Sequence, residues 1–381
     1  MATVSGTCDA RFAEVRELLQ GFVASGEELG ASIVVDLDGQ TVMDLWAGYT
    51  DADRQQAWQR DTICNVFSCT KLVTSLAVLM LVDRGLVSLD DSVARHWPEF
   101  GANGKEAVLI RHVLAHSSGV SGWDEPMLPH DLYDFDAAAA KLARQPPWWQ
   151  PGSVSGYHTL TYGFLIGQLV RCVTGKTLRQ FVADEIAGPL GADFQIGACE
   201  QDWPRVADVL VSPAASQALT DLDPASFSAK ARVGILADTD LVNTPGWRRA
   251  ELGAVNGHGN ARSLVRILSA LTLGGATNGT RLLSQETIDL ALEEQTNSLD
   301  VVLGYTVRWG NGVALVPAAI HHWLPKSGRV CFWGGFGGSY VIMDLDRRLT
   351  IAYTMNYADI IGGSTERGSA YGRAIYRAMG L

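Results

Sequence analysis

The segment Asn65-Val66-Phe67-Ser68-Cys69-Thr70-Lys71-Leu72 places a serine and a lysine three residues apart at the start of a strongly apolar run. The run predicts a helix from Cys69 to about Asp91. Because three residues make nearly one helical turn, the Oγ atom of Ser68 and the Nζ atom of Lys71 are expected to face the same way. The amides at the head of that helix would also place partial positive charge near Ser68.

This Ser-x-x-Lys pattern suits nucleophilic catalysis, although it does not establish it. A serine hydroxyl is a poor nucleophile unless a neighbouring group accepts its proton. Lys71 can accept that proton only if burial or a second cation lowers its pKa towards neutral. The ordinary alternative is a serine that caps the helix and a solvated lysine, so the pattern needs support from the rest of the chain.

Two further segments carry candidate site residues. Tyr157 ends a loop that begins at about Gln145, contains Pro151-Gly152 and precedes a predicted helix. The run from Trp333 to Gly338 holds four glycines and precedes a predicted strand, and glycines beside a strand allow a ligand or another backbone to come close. The ordinary alternatives are an aromatic side chain packed on the core and a tight turn.

The two ends of the chain show the same pattern of helix and strands. Two β-rich runs near the N-terminus are separated by Asp38-Gly39, a strong signal for a type I′ hairpin, and they follow a predicted helix over residues 9–26. Two more such runs and a helix from about Arg367 lie at the C-terminal end. We therefore expect one sheet built from both ends, within a single catalytic domain over 1–381. Its sheet subdomain is predicted over about 1–67 and 255–381, with a helical insert over about 68–254 that includes a second long loop, 221–247.

Composition and charge exclude several classes of function. The 381 residues carry 30 basic and 41 acidic side chains, a net charge of −11, and no basic block that would suit nucleic acid or an anionic membrane. The longest apolar stretch is much shorter than the roughly 20 residues of a spanning helix. No secretory signal is visible, and six scattered cysteines without a C-x-x-C pair predict reduced thiols and a cytoplasmic location.

Other constellations point to no cofactor and no metal. His112 and His116 stand four residues apart, but no glutamate lies between them to act as the base of a zinc protease. The G-x-S-x-G pattern of α/β-hydrolases is absent from the sequence. Trp123, Trp148 and Trp149 are candidates to line an aromatic substrate pocket, or else they cover the core beneath the long loops.

Taken in order, the three segments resemble the serine β-lactamase, penicillin-binding and esterase superfamily, and are most similar to the class C-like esterases called family VIII carboxylesterases. Ser68-x-x-Lys71 matches its first element and Tyr157 its second. Trp333-Gly334-Gly335 matches the third, in the tryptophan form of those esterases. Further similar stretches lie at 84–91, 111–119 and 257–262, and the likeness runs from about residue 20 to about 360.

The resemblance implies an α/β (α+β type) fold, with an antiparallel sheet flanked by helices and a helical subdomain inserted, and it assigns roles. Ser68 would attack an ester carbonyl while Tyr157 and Lys71 share its proton. The backbone amides of Ser68 and Phe336 would bind the oxyanion. Trp333, Gly334 and Gly335, together with the three other tryptophans, are the expected substrate-binding residues.

Two departures bear on the substrate. Tyr157-His158-Thr159 lacks the asparagine that usually stands two residues after the tyrosine, and Trp333 stands where β-lactamases and peptidases usually carry a lysine. Because a tryptophan cannot pair with a substrate carboxylate, we expect small neutral esters with short acyl chains or phenyl groups. A β-lactamase, a D-amino-acid peptidase and an acyltransferase using the same acyl-enzyme remain as alternatives, and the oligomeric state is open.

Overall fold

A computed structural model describes residues 3–232, 240–359 and 365–381. Part of the predicted loop over 221–247 therefore lies outside the described residues. Fourteen α-helices are found in the described part of the chain: α1 Ala13–Ser25, α2 Thr70–Asp83, α3 Val93–His96, α4 Ile110–Leu114, α5 Phe135–Arg144, α6 Thr161–Thr174, α7 Leu178–Phe181, α8 Gly188–Leu190, α9 Pro213–Thr220, α10 Phe227–Arg232, α11 Pro245–Arg249, α12 Ala261–Thr272, α13 Gln285–Ala291 and α14 Glu366–Ala378.

Seventeen strands occur in the same described ranges: β1 Ser5–Cys8, β2 Gly30–Leu37, β3 Gln40–Gly48, β4 Ile63–Asn65, β5 Phe194–Ile196, β6 Val206–Ala207, β7 Leu210–Val211, β8 Gly257–Gly259, β9 Ala276–Thr277, β10 Thr280–Arg281, β11 Thr296–Leu299, β12 Thr306–Trp309, β13 Ala314–Leu315, β14 Val330–Gly334, β15 Tyr340–Asp344, β16 Leu349–Met355 and β17 Tyr357–Ala358. Nine of them form one antiparallel sheet in the order β1-β3-β2-β16-β15-β14-β13-β12-β11.

The N-terminal hairpin confirms the prediction made from Asp38-Gly39. Strands β2 and β3 pair antiparallel from Gly30 opposite Gly48 to Leu37 opposite Gln40. Asp38 and Gly39 have φ angles of 53° and 78°, the positive values that both central residues of a type I′ turn require. The twist of this turn matches that of the two strands, which brings the chain directly back into the sheet.

The two ends of the chain meet in the middle of the large sheet, as predicted. Strand β16 pairs with β2, with Ile351 opposite Val35. Helix α14 packs on α1, where the rings of Phe22 and Tyr371 meet edge to face at 5.7 Å. Helix α12 packs against β2, β15 and β16. The sheet therefore joins residues from both ends of the sequence.

Helix α2 lies at the centre of the molecule, and all its residues from Thr70 to Leu81 are buried. It ends at Asp83, whereas the sequence pattern extended it to about Asp91. Gly85, with a φ of 67°, turns the chain away just beyond the helix, because glycine adopts this left-handed conformation without steric cost. Helix α6 packs against α2.

A second, four-stranded sheet in the order β5-β8-β4-β6 was not predicted, and two of its strands, β5 and β6, lie within the region expected to be helical. Its strands have two or three residues each, too few to show a strand period in the sequence. Strand β4 leads directly into the turn before α2, and β8 pairs with β4. This small sheet therefore fixes the position from which α2 begins. Across the described residues, no helix has both the length and the apolar character needed to cross a membrane.

Candidate active site

Ser68 lies in the tight turn between β4 and α2. The preceding residue, Phe67, has a φ of 46°, a left-handed conformation that is strained for a bulky side chain. Its backbone is held on both sides: its N–H donates to Asn65 Oδ1 at 3.1 Å, and its carbonyl accepts from the backbone N–H of Thr70 at 2.9 Å. The Thr70 hydroxyl oxygen in turn accepts from the N–H of Gly257 in β8 at 2.8 Å. These bonds hold the serine in a sharply bent segment.

Lys71 is buried one turn into the helix, with its amine against Ser68. The distance from Lys71 Nζ to Ser68 Oγ is 3.3 Å, and Nζ donates to the carbonyls of Thr159 at 2.9 Å and Ala254 at 3.0 Å. Burial lowers the pKa of Lys71 well below its ordinary value of 10.5. A neutral amine has two N–H donors and one lone pair. With both donors used by the carbonyls, its lone pair is left for the serine hydroxyl.

Tyr157 is buried on the other side of the serine. Its hydroxyl accepts a hydrogen bond from Trp333 Nε1 at 2.9 Å and also bonds to Ser68. The Nζ atom of Lys71 lies 4.6 Å from the centroid of the tyrosine ring. Burial raises the pKa of Tyr157 above its ordinary value of 10, although the bonds to Ser68 and Trp333 act against this. The phenol is therefore protonated at neutral pH.

The backbone of Tyr157 is held by a carboxylate that sequence reasoning missed. Asp300 is fully buried, and its Oδ1 atom accepts from the backbone N–H groups of Tyr157, Val302 and Leu303, each at 3.0 Å. Its Oδ2 atom accepts from the hydroxyl of Ser155 at 2.7 Å. Asp300 thus ties the loop that carries Tyr157 to the loop after β11. In the sequence, Asp300 is a single aspartate followed by two valines, and no pattern around it indicates this role.

The end of β14 lies directly against the nucleophile turn. A Cβ atom added to Gly335 would come within 2.5 Å of the carbonyl oxygen of Val66 and 3.3 Å of the Cβ of Phe67. The ring of Phe336 meets that of Phe67 edge to face at 5.2 Å. Because any side chain at position 335 would push the two segments apart, the third element needs glycine there.

The two amides expected to bind an oxyanion flank this contact. Within the described residues, neither the backbone N–H of Ser68 nor that of Phe336 donates a hydrogen bond to another backbone or side-chain group. Both residues line the same cavity. The geometry therefore leaves both donors free for a substrate oxygen.

A cavity of about 90 Å³ brings the predicted residues together. Apolar side chains such as Leu160, Val255 and Leu303 form much of its wall. The predicted site residues that line it are Ser68, Tyr157, Trp333, Gly334, Gly335 and Phe336.

The other three tryptophans do not line this cavity, contrary to our expectation that they would bind substrate. Trp123 is buried against Phe164, and its indole N–H donates to a backbone carbonyl at 3.0 Å. Trp148 and Trp149 pack on each other and on Phe227. Trp123 belongs to the buried core, in line with the alternative interpretation, whereas Trp148 and Trp149 form a half-buried cluster with Phe227.

Residues that the sequence did not single out complete the wall of the cavity. Arg232 and Tyr305 line it, as does Trp247. Thr159 stands where relatives usually carry an asparagine, and its hydroxyl has no hydrogen-bond partner among the described residues. Arg232 lies in the long segment that the sequence pattern left as a loop, so nothing in the sequence linked it to the site.

The histidines near the site are neutral and structural. His116 Nδ1 accepts from the backbone N–H of His158 at 3.1 Å. Burial lowers the pKa of His116 well below its ordinary value and that of His158 to about 3. Throughout the part of the chain that the structure describes, no three histidine, cysteine, aspartate or glutamate side chains come together as a metal site would require.

Comparison with known proteins agrees with this arrangement. The family model described as Beta-lactamase matches residues 15–368. The chain is 34% identical over 300 residues to the esterase/beta-lactamase LipL of Mycobacterium tuberculosis, a match that covers 75% of this chain and 68% of LipL.

Two solved structures superpose on almost the whole chain. A family VIII carboxylesterase has 33% identity and a TM-score of 0.89, with 98% of this chain and 99% of that one covered. A penicillin-binding protein homologue from Caulobacter crescentus has 34% identity and a TM-score of 0.90, with the same coverage. The family match spans both parts of the large sheet and the insert between them, and the chain therefore belongs to the beta-lactamase family, as one of its serine hydrolases.

Proposed function

We propose that this protein hydrolyses small neutral carboxylic esters, with short acyl chains or phenyl groups, through a covalent acyl-enzyme on Ser68. The observation that carries the proposal is the position of Lys71. Its buried amine donates two hydrogen bonds to backbone carbonyls. The Nζ atom lies 3.3 Å from Ser68 Oγ, beside a small cavity. A neutral amine in this place is a general base for the serine.

In the first half of the proposed reaction, Ser68 Oγ attacks the ester carbonyl and Lys71 Nζ takes the hydroxyl proton. The carbonyl oxygen becomes an oxyanion, for which the amides of Ser68 and Phe336 are the donors. Collapse of the tetrahedral intermediate breaks the bond to the alcohol. The alcohol leaves with a proton from the Lys71–Tyr157 pair, and the acyl group stays on Ser68.

The opposite pKa shifts support different roles for the two proton-carrying groups. Burial lowers the pKa of Lys71, which favours the neutral amine, and raises the pKa of Tyr157, which favours the protonated phenol. Lys71 is therefore suited to accept the serine proton, while Tyr157 is suited to donate one towards the leaving oxygen. In deacylation, water gives a proton to the same pair and its hydroxyl attacks the acyl carbon, which releases the acid and restores Ser68.

Two features support small esters over β-lactams and D-amino-acid peptides. The cavity is about 90 Å³, and most of the side chains that line it are apolar. Trp333 offers one indole N–H, and that group already donates to Tyr157. At this position a substrate carboxylate would lose water without gaining a cation, which is unfavourable by several kcal/mol when the charge is poorly paired.

The proposal is tested with p-nitrophenyl acetate, butyrate and octanoate and a chromogenic cephalosporin, with intact-mass detection of an acyl adduct. We expect kcat/KM to be highest for acetate or butyrate, and expect Ser68→Ala to lose turnover and adduct together. Ser153→Ala, in an exposed loop serine, is the matched control and should behave as wild type. Residual activity of Ser68→Ala within tenfold of wild type would exclude the serine mechanism, since losing a covalent nucleophile costs several orders of magnitude. Equal or better turnover of the cephalosporin would favour the β-lactamase alternative.

We also propose that the protein works in a reducing compartment such as the cytoplasm. All six cysteines are free thiols, and Cys64, Cys69 and Cys331 are buried. Disulfides are the usual mark of oxidising compartments. Fractionation of the producing cells tests this, and recovery of the protein outside the cytoplasm would contradict it.

A further inference from the structure

Arg232 is a cation in the wall of the cavity that contains the nucleophile. It is the last residue of α10 and lines the cavity together with Ser68 and Tyr305. Its side chain is partly buried, and Nη1 donates to the carbonyl of Ser228 at 2.8 Å and to the Ser228 hydroxyl. Both acceptors are neutral. They lie one turn back in the same helix.

Among the described residues, no carboxylate forms an ion pair with Arg232. Arg367, a buried guanidinium elsewhere in this protein, pairs with Glu28 at 3.2 Å and with Asp359 at 2.8 Å. A buried charge is normally paired because an isolated one is costly to desolvate. Arg232 has only neutral acceptors among the described residues, and it lies beside the cavity.

Asp300 is the carboxylate that influences the pKa of Arg232, but both of its oxygens already accept hydrogen bonds from other groups. These four hydrogen bonds come from the loops that hold Tyr157. Burial lowers the pKa of Arg232 from its ordinary value near 12.5, whereas Tyr157, Tyr305 and Asp300 act in the opposite direction. A guanidinium remains charged at neutral pH in either case.

We propose that Arg232 is a specificity-determining residue that binds a carboxylate carried by the substrate in addition to its scissile ester. The remaining guanidinium N–H groups suit the planar, two-pronged geometry of a carboxylate. This inference rests on the proposed acyl-enzyme on Ser68 and changes the preferred substrate from a neutral small ester to a small ester that carries one further carboxylate. Neutral esters remain better substrates than cephalosporins, because Trp333 fails to meet a carboxylate at its own position, and small esters with a carboxylate that reaches Arg232 are better still.

The test compares two pairs of esters that differ in charge but hardly in shape. Monomethyl succinate and methyl 4-methylpentanoate place the difference on the acyl side. The acetates of 4-hydroxybenzoate and 4-isopropylphenol place it on the alcohol side. Titration of the released acid gives kcat/KM for each ester with wild type, Arg232→Met and Arg232→Lys. Arg266→Met, in an exposed arginine of α12 away from the cavity, is the matched control.

In at least one pair, we expect Arg232→Met to lower kcat/KM for the carboxylate-bearing ester about tenfold or more, the scale of a lost charge-assisted hydrogen bond. The neutral partner should change less than about threefold, and Arg232→Lys should retain part of the preference. The pair that responds identifies the side of the ester that faces Arg232. Equal losses within both pairs would overturn the proposal, since they would mean that Arg232 only supports the wall. Hydrolysis that persists in Ser68→Ala would instead contradict the proposed function.

Discussion

The proposed chemistry depends on one lysine, Lys71, whose surroundings are almost without charge. Lys71 meets two carbonyls and a hydroxyl, and burial keeps its pKa well below 10.5. The fraction of neutral amine rises as the pH rises through this depressed pKa and is lost as the pH falls through it. Activity that needs the neutral amine must follow the same direction.

We therefore predict an acid limb in the pH profile of kcat/KM for p-nitrophenyl acetate, with a midpoint well below 10.5. Lys71→Ala should lose on the order of 10²-fold in activity, together with this limb. Tyr157→Phe is the matched comparison. The variant should lose activity on a similar scale but keep the acid limb, because the pKa of Tyr157 is raised and its phenol does not titrate in that range. A wild-type midpoint near 10.5, or a limb that survives in Lys71→Ala, would remove Lys71 from the role of base.

At the scale of single residues, the sequence predicted the three candidate catalytic residues but not the residues that hold them in place. Ser68, Lys71 and Tyr157 stand in short patterns that chemistry makes recognisable, and the structure brings all three together. Asp300 and Arg232 stand in no pattern. Asp300 binds the amide of Tyr157 across 143 residues of sequence, and such a contact exists only after the chain has folded. Trp123, Trp148 and Trp149 show the opposite case, because the sequence singled them out and they do not line the cavity. A cluster of aromatic residues in a sequence does not show whether the rings line a pocket or pack elsewhere.

At the scale of elements, the site depends on how closely β14 approaches the turn before α2. Gly335 would place a Cβ atom 2.5 Å from the carbonyl oxygen of Val66, whereas the nearest atom to a Cβ on Gly334 is 3.2 Å away. A contact of 2.5 Å with backbone forces one segment to move. A contact of 3.2 Å requires a shift of only a few tenths of an ångström.

We predict that Gly335→Ala lowers kcat on the order of 10²-fold, because it separates the amide of Phe336 from that of Ser68 and so removes an oxyanion donor. Gly334→Ala is the matched control and should stay within about tenfold of wild type. Steady-state kinetics on p-nitrophenyl butyrate, with circular dichroism to confirm the fold, decides between them. Similar losses in the two variants would mean that the close approach of β14 has no special part in the reaction.

The periodicity of hydrophobic residues and the turn residues predicted the longer helices and strands, but they did not predict the short ones. The hairpin at Asp38-Gly39 and helix α6 lie where the sequence pattern predicted them. Helix α2 is shorter than predicted because its apolar run continues past Gly85, where the backbone turns. Strands β4 and β8 were missed because three residues show no period, although these two strands set the position of the nucleophile.

At the scale of the whole molecule, the sheet is closed by contacts between the two ends of the chain. Arg367, at the start of α14, is 3% exposed and lies between Glu28, Asp359 and the hydroxyl of Tyr353. Glu28 is fully buried. Removing the arginine would leave that carboxylate without its cation.

We predict that Arg367→Ala lowers the free energy of unfolding by about 3–5 kcal/mol, the usual loss when one partner of a buried ion pair is removed. Arg373→Ala, on the exposed face of the same helix and paired with Glu366, should cause little change. Urea unfolding followed by tryptophan fluorescence measures both. The kcat of the folded Arg367→Ala protein should match wild type, and equal stability of the two variants would show that this ion pair does not hold the ends together.

The meeting of the two ends has a consequence for how the protein is made. The hydroxyls of Ser32 and Thr354 lie 3.0 Å apart across β2 and β16, although 322 residues separate them. A ribosome therefore produces the nucleophile turn and the apolar helix α2 long before it produces the strand that carries Trp333 and Gly335. The nascent chain holds a serine with no oxyanion site and a helix with no sheet to cover it. The proposed catalysis can begin only after translation has passed β16, and until then the apolar residues of α2 lack the strands that cover them, which favours aggregation.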